Sequence, residues 1–397
     1  MPVFHTSYIK KAVISLTAVL LCLSVLVCCA KIEHISLYTL PNTALPVLEL
    51  SGGIDKSEIS AKSAILIEAS SGQCIWEKNS NQKLPMASTT KIMTAIVALD
   101  SGDIKRKVTV SPLAVGVEGS SVYLYEGEQL TLEQLLYAML LSSANDAAAA
   151  IAIEVGGSLE NFARLMNKKA ESLGLSNTSF ENPHGLDGEN HYTTASDLAI
   201  IARYAMQNPT FREIVATYKT TIPLGGDEGV RLLVNHNKLL KNYEGTIGIK
   251  TGFTKKSGRC LVSAAVTDGV EYICVTLNAP NDWSDHKKLF DYASSLYTKE
   301  VLCTPESVEY SLPVSNGTCD SVTVKNKEGH SLILPKNHGE ISCIINLPRF
   351  VLAEVKTGDI LGEAVFYMDG KEIWQTPLYA YGDVPKKPKG KLFFRDN

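Results

Sequence analysis

What the chain lacks narrows its function first. It has no strong charge of either sign, since 38 Lys and Arg stand against 42 Asp and Glu and leave a net charge of -4. That balance argues against nucleic acid as the main partner. It has no C-x-x-C pair and no His-rich tract, so no metal centre is indicated and no cofactor is implied. It has no 20–50-residue repeat and no long low-complexity tract, which excludes a solenoid and a disordered linker protein. Charged residues make up 20% and hydrophobic residues 45%, which is the composition of an ordinary globular chain. At 397 residues it is long enough for two domains, one large and one small.

Only one long apolar run occurs, and it is at the start. Lys10 and Lys11 precede an apolar stretch over residues 12–27, and Cys28-Cys29-Ala30 offers a small-residue cleavage site. Residues 1–30 therefore read as a cleaved export signal. A retained membrane anchor and a lipid-modified Cys28 are the rival readings, and Val27 is large for the position before a lipidated cysteine. All three place the body of the protein outside the cytoplasm, in the cell envelope or secreted. Of the nine cysteines, Cys22, Cys28 and Cys29 belong to this segment. The other six are an even number, which permits disulfides in an exported chain. Cys74, Cys260 and Cys274 sit in apolar strand-like runs, where a buried free thiol is the commoner state.

Residues 31–58 read as a spacer. Residues 64–69 and 74–77 are short strands joined by Ser70-Ser71-Gly72-Gln73, a hairpin. Then comes Pro85-Met86-Ala87-Ser88-Thr89-Thr90-Lys91, which opens an apolar helical run over residues 92–99. Positions i and i+3 on a helix share a face with Cβ atoms ~5–6 Å apart, so the Lys91 amine can reach the Ser88 hydroxyl. A serine becomes a nucleophile when a neighbouring base takes its proton, and a lysine serves if its pKa is lowered. Bringing a lysine to neutrality costs about 4–5 kcal/mol at ~1.4 kcal/mol per unit. The same S-x-x-K spacing recurs at Ser7/Lys10, Ser80/Lys83 and Ser284/Lys287, so spacing alone decides nothing. Ser88/Lys91 differs because the two turns after it are apolar, which buries that helix and forces Lys91 to be paired or functional.

Residues 108–110 form a short strand and 119–127 a loop with Tyr123 and Tyr125. Residues 130–141 and 147–155 read as helices broken at Ser142-Ser143-Ala144-Asn145-Asp146, and Ser143-x-Asn145 is the only S-x-N in the chain. These polar residues are also good caps for the second helix, and alone that reading would be preferred. A further helix covers 161–173, and His191-Tyr192-Thr193-Thr194-Ala195-Ser196-Asp197 caps another that runs through Met206. His184 and His191 lie in turn-rich segments, where bonding to loop backbone is the favoured role over acid–base work. From residue 247 the pattern turns to strands: 247–252, then 259–266 and 271–277 joined by Thr267-Asp268-Gly269, with a closing helix over 285–297. A hairpin, a block of helices, three strands and a helix make one antiparallel sheet with its helices beside it. After residue 304 short strands alternate with Gly, Pro and Asn turns, an all-β module of about 80 residues. Lys356-Thr357-Gly358 falls there, before a turn, and reads as a decoy of Lys250-Thr251-Gly252. The basic tail reads as a frayed terminus, with weak attraction to an anionic bilayer as the alternative.

Three elements thus stand in chain order: Ser88-x-x-Lys91, Ser143-x-Asn145 and Lys250-Thr251-Gly252. The trio is that of penicillin-binding proteins and class A β-lactamases. The chain resembles the D-alanyl-D-alanine carboxypeptidases among the low-molecular-mass penicillin-binding proteins more closely still. The resemblance extends through Leu141-Ser142-Ser143-Ala144-Asn145-Asp146-Ala147, Asn182-Pro183-His184-Gly185-Leu186, His191-Tyr192-Thr193-Thr194-Ala195-Ser196-Asp197 and Gly248-Ile249-Lys250-Thr251-Gly252-Phe253-Thr254. It implies an α/β (α+β) penicillin-recognising serine-enzyme fold: an antiparallel sheet flanked by helices, a helical subdomain, and a small C-terminal all-β sandwich. The implied division is 59–300 for the catalytic domain, 304–382 for the β-rich domain and 383–397 for the tail.

The resemblance also implies roles. Ser88 attacks the carbonyl between the terminal D-alanines of a peptidoglycan stem peptide, and Lys91 takes its proton. Ser143 and Asn145 bridge the proton relay and hold the substrate amide. Lys250 keeps Lys91 neutral, Thr251 and Gly252 line the strand on which the peptide lies, and the N–H groups of Ser88 and Phe253 form the oxyanion hole. β-Lactams would acylate Ser88 as substrate mimics. Two departures stand out. The tail is short and Pro-interrupted where relatives often carry a membrane-binding helix, and His236 stands nearest to where some use an arginine for the substrate carboxylate. A β-lactamase would need a carboxylate for its water, and no E-x-x-x-N follows Asn145 to supply it. A transpeptidase or endopeptidase differs only in the acceptor, and a wall-binding pseudoenzyme would not keep all three motifs intact.

Overall fold

Five strands with alternating or continuous apolar character build the platform of the site. They are β1 (Ser63–Glu68), β2 (Cys74–Lys78), β7 (Thr246–Thr254), β8 (Gly258–Thr267) and β9 (Val270–Leu277). A computed structural model describes residues 54–224 and 229–388. The expected export signal, most of the spacer and the end of the tail lie outside these described residues. The five strands form an antiparallel sheet in the order β2-β1-β9-β8-β7. Asp268 and Gly269 turn β8 into β9 with positive φ at both, the hairpin geometry that the sequence pair signals.

Every residue of β1 is buried because both faces of the sheet are covered. Side chains alternate between the faces. Ile65 and Ile67 enter the large core with the helices. Ala64 and Leu66 enter a smaller one with Leu289 and Phe290 of α8 (Asp282–Leu296). Asp285 of α8 accepts from Ser60 and Ala61 and so ties down the lead-in chain. Its neighbour His286 is fully buried between the hydroxyls of Ser263 on β8 and Thr276 on β9.

The helical block lies on the other face: α1 (Lys91–Asp100), α2 (Leu132–Leu141), α3 (Asn145–Gly156), α4 (Leu159–Ser172), α5 (Ala195–Met206) and α6 (Pro209–Ala216), while the short α7 (Leu239–Asn242) puts Leu239 into the smaller core with α8. Thr131 and Gln134 cap α2 reciprocally. Two hairpins decorate the block, β3 (Lys107–Thr109) with β4 (Gln129–Thr131), and β5 (Lys219–Pro223) with β6 (Val230–Val234). From the sequence no element is expected at α6, α7, β5 or β6, and the two hairpin strands are the larger omission. Their signal is weak because β5 buries only Ile222, and β6 only Arg231 and Leu233.

The chain then runs into an all-β module. β10 (Tyr297–Cys303) pairs with β13 (His330–Pro335). Strands β11 (Glu309–Ser315), β12 (Ser321–Lys325), β14 (Ile341–Asn346), β15 (Val351–Leu352), β16 (Ile360–Met368) and β17 (Lys371–Tyr381) make a six-stranded sheet, ordered β14-β16-β17-β12-β11-β15. Its core includes Leu312, Val324, Phe366 and Leu378.

Two expectations change. Cys74 is exposed, not buried, because β2 is the outer strand of its sheet and turns that face to solvent. The start of the basic tail is pinned, not frayed: Val384 bridges to Val355 and Lys386 to Gly317. All six cysteines among the described residues are free, with Cys260 and Cys274 buried as expected. No helix among them is long and apolar enough to cross a membrane.

Candidate active site

The chain enters α1 through one 3-10 turn, Ala87–Thr90. Ala87 holds a left-handed backbone, φ 48°, and the turn is tied by Thr89 Oγ1 to the Met86 carbonyl and Thr90 Oγ1 to the Ala87 carbonyl. A strained non-glycine residue before a reactive group is a recurrent feature of active sites. The turn leaves Ser88 half-buried and Lys91 fully buried. Lys91 Nζ lies 3.0 Å from Ser88 Oγ. It also lies 2.6 Å from Asn145 Oδ1 and 2.6 Å from the His184 carbonyl.

Asn145 opens α3 two residues after Ser143, whose φ of 59° makes the bend between α2 and α3. Its amide is oriented by the loop before β4: Nδ2 donates to the Glu118 carbonyl at 2.5 Å, and its backbone N–H donates to Ser120 at 2.7 Å. That leaves Oδ1 for Lys91. Next to it, the buried Asp146 carboxylate accepts from Ser121 Oγ and from the N–H groups of Val122 and Leu124. Lys250 projects from β7, with Nζ 3.1 Å from Ser143 Oγ and 3.0 Å from the Thr251 carbonyl.

Two amines buried in one cleft cannot both keep ordinary proton affinity. Burial pushes Lys250 down to about 7. Lys91 falls well below the ordinary lysine value, first through burial and then through the charge of Lys250, against the opposing pull of Asp146.

Close backbone approach completes the turn's surroundings. A Cβ on Gly252 would stand 2.9 Å from Ser88 N, and one on Gly185 would stand 2.0 Å from the Ala87 oxygen. Thr251 is half-buried on β7, and Phe253 is 65% exposed beside it. β7 is the last strand in its sheet, so its outer edge is open among the described residues. His236 is exposed on one side, while partial desolvation of its ring, followed by the charges of Lys250 and Lys91, lowers its pKa. Lys356-Thr357-Gly358 lies in the β module, where Thr357 bonds Asp383. His184 and His191 both accept from loop N–H groups, of Leu186 and Glu181. The carbonyls of His184 and Glu118 were beyond sequence reasoning, because a backbone oxygen leaves no mark on residue type.

A family model described as D-alanyl-D-alanine carboxypeptidase matches residues 52–281. The chain belongs to the D-alanyl-D-alanine carboxypeptidase family. A second model, the C-terminal domain of penicillin-binding protein 5, matches residues 297–386 of this carboxypeptidase-family chain. It is 34% identical over 336 residues to D-alanyl-D-alanine carboxypeptidase DacF of Bacillus subtilis, covering 82% of this chain and 86% of that one. It is 31% identical to DacC of Escherichia coli over 83% of this chain and 86% of that one. Among solved structures it resembles penicillin-binding protein 5 of Haemophilus influenzae, with TM-score 0.60, 27% identity, and 84% and 100% of the two chains covered. It also resembles the Streptomyces K15 DD-transpeptidase, with TM-score 0.57, 33% identity, and 60% and 98% covered. The family is one of serine hydrolases, and the fold is that of these penicillin-binding proteins.

Proposed function

We propose that this carboxypeptidase-family enzyme cleaves the terminal D-alanine from peptidoglycan stem peptides through an acyl-enzyme on Ser88. The bonding of Lys91 carries the reading. An uncharged amine has two N–H groups and one lone pair. Asn145 Oδ1 and the His184 carbonyl can only accept, and both sit at 2.6 Å. They take the two N–H groups, so the lone pair faces Ser88 Oγ at 3.0 Å. That is a base aimed at a nucleophile.

Ser88 Oγ attacks the carbonyl between the two D-alanines as its proton passes to Lys91. The N–H groups of Ser88 and Phe253 receive the developing oxyanion, and one such donor contributes about 2.7–4 kcal/mol. Lys250 draws in the substrate carboxylate and keeps Lys91 deprotonated. Ser143, bonded to Lys250, carries a proton towards the departing amine, and Asn145 holds the substrate amide. His236 stands at the rim as a further contact for the terminal carboxylate. The peptide lies along the open edge of β7, beside Thr251 and Gly252, where main-chain bonds order it. Water then releases the acyl group. A β-lactam enters the same path and acylates Ser88. The substrate lies outside the cytoplasm, which fits export through residues 1–30.

Incubation of the enzyme with a diacetyl-lysyl-D-alanyl-D-alanine peptide tests this. Free D-alanine is expected from the parent and none from Ser88→Ala. Release by the alanine variant would refute the nucleophile assignment, and penicillin labelling without any peptide turnover would point to an inactive wall-binding form.

A further inference from the structure

The turn that carries Ser88 is held from below by a chain of bonds that the reaction itself does not use. Thr90 Oγ1 is fully buried and lies 2.8 Å from the Ala87 carbonyl and 2.8 Å from His191 Nε2. His191 is buried as well, and its Nδ1 accepts the Glu181 N–H at 3.0 Å. A neutral imidazole has one proton. With Nδ1 accepting, that proton is on Nε2, so Nε2 donates to Thr90 Oγ1. The threonine hydroxyl has one proton too, and the carbonyl of Ala87 can only accept. The bonds therefore point one way: Glu181 N–H to His191, His191 to Thr90, and Thr90 to the oxygen of Ala87.

That oxygen belongs to the peptide that joins Ala87 to Ser88. Ala87 is the strained residue of the turn, at φ 48°. The same oxygen is pressed from the other side by Gly185, where no Cβ could fit. Rotating this peptide would swing Ser88 Oγ away from Lys91. His191 itself touches neither Ser88 nor Lys91 by any hydrogen bond; its partners are Thr90 and Glu181.

We propose that His191, as the Nε2-protonated tautomer, is a positioning residue that orients the Ala87-Ser88 peptide through Thr90. The inference rests on the reading of Ser88 as the nucleophile. Its physical basis is that a hydroxyl with both partners fixed can no longer rotate, so the 3-10 turn is held in one register. Burial keeps the imidazole neutral, with its pKa down at about 4; Glu181 and Asp187 oppose this and Lys91 adds to it, while the nearby His184 is itself held at about 3. The arrangement therefore persists throughout the neutral range.

The test uses the full-length protein and its His191→Phe, His191→Gln, Thr90→Val and doubly substituted His191→Phe/Thr90→Val variants, with benzylpenicillin as the acylating probe. Long-range 15N spectra of the histidine rings report the tautomer. Stopped-flow acylation separates the first-order acylation step from initial binding. For the parent we expect a His191 ring with a protonated Nε2 and a bare Nδ1. His191→Phe and Thr90→Val should each slow the acylation step by roughly 10²-fold, as small misplacements of a reacting group do, with initial binding unchanged. The double variant should be no slower than either single one. His191→Gln keeps a donor and an acceptor and should recover most of the rate. Should His191→Phe fail to fold, Thr90→Val, His191→Gln and the parent tautomer still decide the matter. A protonated Nδ1, or a folded Thr90→Val or His191→Phe variant that acylates at the parent rate, overturns the inference. A dead Ser88→Ala beside such an unaffected variant would sink this inference alone. A Ser88→Ala that still became labelled would sink the reading beneath it.

Discussion

Lys91 and Lys250 share one cleft, and the charge of one bears on the proton affinity of the other. The charge on Lys250 lowers the pKa of Lys91 beyond what burial does. Removing it therefore raises the pKa of Lys91, and the acid limb of the acylation profile should move to higher pH. Lys250→Met should show that displacement in single-turnover acylation, alongside a lower plateau. A limb that stays at the parent pH would show that Lys250 does not tune the base. At this scale the sequence was informative where chemistry depends on side-chain type and spacing. Lys91 bonds Ser88 and Asn145, and Lys250 bonds Ser143, at 2.6–3.1 Å, so the three motifs meet in one cleft. The sequence was silent on the His184 and Glu118 carbonyls, which orient Lys91 and Asn145 through backbone atoms that every residue possesses.

At the scale of elements, the site depends on segments that approach more closely than side chains allow. The Asn182–Leu186 stretch closes on itself, with the Asn182 carboxamide bonding Gly185 and Leu186. It presses Gly185, at φ 95°, against the Ala87 carbonyl. Gly185→Ala adds a Cβ in a left-handed conformation and against a backbone oxygen. A loss of ~1–3 kcal/mol in stability is expected from the backbone alone, with a further fall in acylation rate because the displaced atom is next to Ser88. Urea denaturation and penicillin labelling on the same variant would measure both, and an unchanged acylation rate would separate this loop from the nucleophile turn. At eight and four residues, α6 and α7 are too short to show a helical period, but α1 to α5 were readable from apolar periodicity because they bury a whole face. The hairpin of β5 and β6 was not. β5 turns Lys219 and Thr221 outward but buries a single apolar residue, Ile222, and β6 turns Val230 and Leu232 outward and Arg231 inward, the reverse of the polar-out pattern.

At the scale of the molecule, acid stability should follow the buried histidines. Burial pushes His184 down to about 3, His191 to about 4 and His286 to about 3, each from the ordinary 6.5. Between those values and 6.5 the unfolded chain holds protons that the folded chain refuses. Stability then rises with pH across that window and is lost as pH falls through it. The melting temperature should drop between about pH 6.5 and about pH 4. His286→Gln should melt lower at neutral pH, because the Ser263 and Thr276 hydroxyls lose a fitted partner, yet show a shallower acid slope. An acid slope equal to that of the parent would assign the loss to other groups. The change of pattern after the last helix, where helical periodicity ends and short strands begin, was legible in the sequence. The pinned start of the tail was not, since its bridges to Val355 and Gly317 are made by main-chain atoms.

The central claim is that an uncharged Lys91 makes Ser88 reactive. Its most direct measurement is peptide mapping by mass spectrometry of the benzylpenicillin-treated protein over a range of pH. The account predicts one adduct, on Ser88, forming at full rate far below the 10.5 of an ordinary lysine. An adduct on another residue, or one whose formation waits for the pH to reach the ordinary lysine range, would contradict it.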